Sequence, residues 1–109
     1  MNLNQNNTAT ESALQAAIEL KVDLVLVQEP WVLQLDDYTG TRSISHTSFV
    51  QILSKHYKLR PRTLAYVSKS FKPLVSLATN SPKDSNLLVL DIIEGNSKIQ
   101  LYNIYNEAD

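Results

Sequence analysis

The stretch Asp23-Leu24-Val25-Leu26-Val27-Gln28-Glu29-Pro30-Trp31 runs from an unbroken apolar core into a carboxylate and then a proline. Leu24 to Val27 are all branched and apolar, the composition of a short strand covered on both faces. Pro30 has no N–H and a fixed φ, so the strand ends there and the chain turns. Glu29 is therefore predicted at the carboxyl end of a buried strand, where α/β sheets gather ligand-binding groups. A lone strand-end glutamate is by default a solvated surface carboxylate. The flanking Gln28 and Pro30-Trp31 favour a site instead.

Upstream, Thr8-Ala9-Thr10-Glu11 has the spacing of a capping box and predicts a helix start. Leu14, Ala17 and Ile18, supported by Ala13 and Leu20, recur at helical spacing, while Gln15, Glu19 and Lys21 take the wet face. The polar Asn2-Leu3-Asn4 precedes this helix as a strand stub, so the order is stub, helix, buried strand.

Downstream, residues 31 to 47 lose any period around Asp36-Asp37-Tyr38-Thr39-Gly40-Thr41 and predict a turn-rich loop. Residues 48 to 53 predict a short, weakly alternating strand, 63 to 68 a better one, and 74 to 78 another headed by Pro73. Leu87 to Ile93 and Lys98 to Tyr105 flank Glu94-Gly95-Asn96-Ser97, and Gly-Asn between two apolar runs predicts a two-residue hairpin turn. Alternation in the second arm puts Ile99, Leu101, Asn103 and Tyr105 on one face and Gln100, Tyr102 and Ile104 on the other.

Composition narrows the function. With 109 residues, 43% hydrophobic and 19% charged, the chain is sized for one globular domain, residues 1 to 109. No apolar run approaches the roughly 20 residues of a spanning helix, and the opening is too polar for a secretory signal. A nuclear or cytoplasmic, non-secreted protein with no membrane partner is expected. The absence of cysteine excludes disulfides and thiolate metal sites, leaving oxygen or imidazole ligands and pointing to magnesium rather than zinc. His46 and His56 have no carboxylate at ligand spacing, which argues against zinc or nucleophilic roles.

The net charge of −1 conceals a segregation: residues 38 to 83 carry eight Lys and Arg and none of the eleven Asp and Glu. Such a basic middle would suit a phosphate backbone, with carboxylates outside it to hold a cation; the plainer reading is a solvated face.

Taken in order, Asn2-Leu3-Asn4, Val27-Gln28-Glu29-Pro30 and Asn103-Ile104-Tyr105-Asn106 resemble the endonuclease/exonuclease/phosphatase superfamily. More narrowly they resemble the apurinic-type endonuclease domain of fungal non-LTR retrotransposons, to which Arg60-Pro61-Arg62-Thr63-Leu64-Ala65-Tyr66-Val67-Ser68-Lys69 is also similar. The resemblance implies an α/β fold, the incomplete N-terminal part of a four-layer α/β sandwich with mostly antiparallel sheet and one covering helix. It implies Mg2+ held by Glu29 and Asn2, with Asn4 as the alternative should the alignment slip by two. Asn2, Glu29 and Tyr105 are the implied catalytic residues, Tyr105 supporting the scissile phosphate unless it simply packs against Leu101. DNA is the implied partner, with Lys55, Arg60, Arg62 and Asn106 as its contacts. Trp31 is expected to cover a sheet edge or, in a binding role, to stack on a base.

The family continues with a Gly-Asp-x-Asn motif that activates water and a Ser-Asp-His motif, and this sequence has neither. It reads as a fragment of a retroelement DNA endonuclease, weakly active or inactive alone and left with an exposed sheet face through which it associates. The alternative is a degenerate, non-catalytic module that binds nucleic acid through residues 55 to 72 or another protein.

Overall fold

The computed structural model describes residues 7–28, 32–34, 41–43, 46–53, 62–82 and 86–105. They form a mixed α/β arrangement of one helix, α1 (Asn7–Glu19), and eight strands. The strands are β1 (Leu24–Gln28), β2 (Val32–Gln34), β3 (Thr41–Ser43), β4 (Phe49–Leu53), β5 (Thr63–Ser68), β6 (Leu74–Leu77), β7 (Leu87–Glu94) and β8 (Ser97–Ile104). Every strand pair is antiparallel: one sheet runs β1-β5-β4, a second β6-β7-β8, and β2 pairs with β3. The β2–β3 ladder lies in the stretch predicted as a loop. Three residue pairs suffice for it, with Val32 opposite Ser43, and a run that short carries no readable alternation.

β5 is the centre of the first sheet, and five of its six residues are buried. Its two faces belong to two different cores. Leu64 and Tyr66 join Val25 and Val27 of β1, Phe49 of β4, and Leu14 and Ala17 of α1. Ala65 packs with Leu88 and Leu90 of β7, with Leu26, Ile52 and Leu77 against them. The apolar run in β1 is thus a sound indicator of two-sided cover, Val25 and Val27 turning to the helix and Leu26 to the second sheet. Phe49 meets Tyr66 edge to face at 6.2 Å between centroids, an arrangement that suits the ring quadrupoles.

α1 begins at Asn7, one residue before the threonine expected to cap it, so Thr8 lies inside the first turn. Thr10, Leu14 and Ala17 form its buried stripe, while Ile18 and Leu20, expected to face inward, are exposed. These two flank the stripe in the last turn, where the helix is already closing. Val22 N–H donates to Ala17 O at 2.9 Å and Lys21 N–H to Ile18 O at 3.1 Å, the paired bonds of a Schellman cap. Such a cap requires a left-handed residue, and Lys21 supplies it at φ 57° with no glycine to ease the strain.

The hairpin of β7 and β8 turns on Gly95-Asn96, as the sequence predicts, with Glu94 opposite Ser97. Gly95 takes φ 58° and Asn96 does not share the positive sign, the pattern of a type II′ turn. On the outer face of this sheet the buried Asp91 carboxylate accepts from Gln100 Nε2 at 2.9 Å and pairs with Lys98 Nζ at 3.6 Å, so the charge is not left bare. Among the described residues no helix is long and apolar enough to cross a membrane.

Burial pushes the Tyr66 phenol up to about 12 from its ordinary value of 10.0. Folding therefore holds the neutral form, and the stability gained is complete below pH 10 and lost as pH rises from there toward 12. Urea unfolding across that window is expected to show a steep alkaline fall in stability that Tyr66→Phe flattens.

Candidate functional site

The carboxyl end of β1, the start of β5 and the carboxyl end of β8 meet at one rim, and three side chains explain why. Antiparallel pairing sets Gln28 opposite Thr63, which brings Arg62 beside the end of β1. Gln28 then reaches across to the second sheet, its Nε2 donating to Ile104 O at 2.5 Å. Behind it, Asn103 is buried at 3% exposure, and its Nδ2 donates to Val27 O at 3.0 Å and Leu64 O at 3.1 Å. An amide on an otherwise apolar inward face must find partners or be desolvated at a cost, and here the partners lie on the facing sheet.

The chain leaves this junction through Tyr105, whose N–H donates to Asn86 O at 2.8 Å and carries the β7–β8 ladder one step further. The Arg62 guanidinium carbon lies 5.3 Å from the centre of the Tyr105 ring, within cation–π range. Both side chains are half-buried. Of the site residues expected from the sequence, the structure therefore brings Tyr105 and Arg62 together. Glu29 and Asn106 are the next residues in sequence after Gln28 and Tyr105, and they lie outside the described residues, as do Asn2, Lys55 and Arg60.

Compared with protein-family models, with curated proteins and with solved structures, this chain matches none.

The described residues divide the basic middle. Arg62 sits at one end of β5, while Lys69 and Lys72 follow its other end, with the buried run Thr63 to Val67 between them. At about 3.3 Å per residue, six strand residues put roughly 20 Å between the two basic ends. His46 is occupied locally, since its Nδ1 accepts the Ser48 N–H at 3.0 Å and its ring meets Phe49 edge-on at 5.6 Å. Among the described residues no three His, Cys, Asp or Glu gather as a metal group.

Two residues that organise the rim are not singled out by the sequence. Gln28 figures there as part of the Val27-Gln28-Glu29-Pro30 motif, and Asn103 as a member of an alternating face and of the Asn103-Ile104-Tyr105-Asn106 motif, neither with a role of its own. The available signal is polarity at an inward position: with Leu101 and Tyr105 flanking it, Asn103 has to be either exposed or hydrogen-bonded across the interface.

Asn103→Ala removes two amide hydrogen bonds and is expected to cost about 2 kcal/mol, at roughly 1 kcal/mol each. Asn103→Asp should cost more, because a carboxylate would face two carbonyl oxygens. Chemical denaturation of the three proteins at neutral pH checks the order; equal stability of all three would show that the amide is not engaged.

Proposed function

We propose that this chain is part of a magnesium-dependent DNA endonuclease domain of the apurinic type found in non-LTR retrotransposons, located in the nucleus or cytoplasm. One observation carries the reading. The Gln28 amide bound to the Ile104 carbonyl joins the residue before Glu29 to the residue before Tyr105, which supports a shared site for the two sequence motifs. The cores on both faces of β1-β5-β4 also suit the inner part of a four-layer α/β sandwich, with α1 as one outer layer.

In this reading Glu29 and Asn2 would hold Mg2+, and their donor set, a carboxylate and an amide oxygen, fits a hard cation. The ion would offset charge on the phosphate that is cleaved. Tyr105 donates its phenol proton in a hydrogen bond to a phosphate oxygen as charge develops there. Arg62 adds a fixed positive charge beside that phenol, and Lys55, Arg60 and Asn106 contact the strand on either side. These 109 residues contain no Gly-Asp-x-Asn or Ser-Asp-His motif, so no general base for water is identified among them, and turnover by them alone is slow at best.

A second reading, a non-catalytic interaction module, is favoured by a separate observation. Leu74, Tyr102 and Ile104, on the outer face of β6-β7-β8, are each at least half exposed. The two readings separate on supercoiled plasmid. The endonuclease reading expects nicking that needs magnesium and disappears in Glu29→Ala. Nicking at equal rate by Glu29→Ala contradicts it. Salt-sensitive binding without nicking, indifferent to Glu29 and weakened by charge reversal at Lys55, Arg60 and Arg62, favours the module.

A further inference from the structure

At the other end of β1 and β5 a hollow of about 430 Å³ opens between the last turn of α1 and the Ser68–Phe71 turn. The five residues of β1 hold it roughly 17 Å from the Gln28 rim, at about 3.3 Å per residue. Its volume falls among those of small-molecule sites, about 300 to 1,000 Å³. Three kinds of surface line it. Ile18 and Val22, at 39% and 40% exposure, give an accessible apolar wall with the Phe49 ring behind it. Lys21 and Lys69, both exposed, also line it, and neither is ion-paired among the described residues. Asp23 and Ser70 complete the polar side.

The backbone on the cationic side is held in advance. Phe71 N–H donates to Ser68 O at 3.1 Å and Lys69 N–H to Ser48 O at 3.0 Å, while the Ser68 and Ser70 hydroxyls lie 2.8 Å apart. Lys69 and Ser70 are thus carried on an ordered turn. Lys21 occupies the left-handed cap position that glycine fills with least strain. A lysine there balances the negative end of the helix dipole, which accounts for its charge but not for Lys69 lining the same hollow.

We propose that this hollow binds a nucleoside 5′-monophosphate. The phosphate takes its hydrogen bonds from Lys21, Lys69 and the Ser70 hydroxyl, a sugar hydroxyl donates to Asp23, and the planar base covers Ile18 and Val22. Each lining chemistry then has a counterpart on one ligand. A bare anion would leave the apolar wall wet and Asp23 repelled; a purely apolar ligand would leave the two lysines without a counterpart. The proposal stands apart from the endonuclease reading, because no residue of the rim lines the hollow.

The test is titration of the chain with adenosine 5′-monophosphate, inorganic phosphate and adenosine, followed by calorimetry and by backbone amide shifts. Saturable binding of the nucleotide is expected, with shifts at residues 21 to 23 and 68 to 70, and at least about tenfold weaker binding of the other two ligands. Lys69→Gln, at an exposed turn position, should weaken the nucleotide about tenfold with an unchanged thermal midpoint, and adding Lys21→Asn, which tolerates the left-handed backbone, should weaken it further. Absence of saturable binding overturns the proposal. So do unchanged affinity in the double variant, phosphate binding as tightly as the nucleotide, and shifts centred on Arg62 and Tyr105.

Discussion

The buried amide of Asn103 is the constraint on which the arrangement of this protein turns. Each three-stranded sheet is internally satisfied by its own ladder, so nothing in the ladders fixes how one sheet sits on the other. Apolar contact among Ala65, Leu88 and Leu90 supplies attraction without direction. Asn103 supplies the direction, since its Nδ2 meets Val27 O and Leu64 O only in one register of the two faces. Slide the sheets by a residue pair, and a buried amide loses both acceptors.

That register has a consequence for chemistry. Val27 is two residues from Glu29, and Asn103 is two residues from Tyr105, so the hydrogen bond that aligns the sheets also aligns the exits of their two motif-bearing strands. The Gln28 to Ile104 bond repeats the tie one residue nearer the rim. Arg62 enters from the antiparallel neighbour of β1 and lies over the Tyr105 ring. A rim assembled from three strands through a buried polar contact is positioned by the core rather than by loops, which is the support that a precisely placed site requires.

Much of this architecture is legible in the residues, for identifiable reasons. Leu24 to Val27 announce a doubly covered strand because two-sided burial leaves no polar alternation, and Gly95-Asn96 announces its hairpin because few residues accept as readily as glycine the positive φ that such a turn needs at its first position. The β2–β3 ladder is illegible, since three-residue strands are too short for a period. The exposure of Ile18 and Leu20 is hidden because helical spacing tells which residues share a face, not how wide a face the sheet covers. At the rim, residue types suggest Tyr105 and Arg62, but their contact depends on the β1–β5 register and on how the second sheet packs, both products of long-range pairing. Asn103 shows the limit most clearly: its inward position can be read, whereas its acceptors lie 76 and 39 residues away in sequence.

The most direct measurement is the nuclear Overhauser pattern and solvent exchange of the Asn103 side-chain amide protons in the isotopically labelled chain. A register fixed by this amide requires cross-peaks from its protons to residues of β1 and β5 around Val27 and Leu64, together with exchange slowed to the rate of the surrounding core amides. Rapid exchange at the rate of exposed asparagines, with cross-peaks confined to β7 and β8, would contradict it.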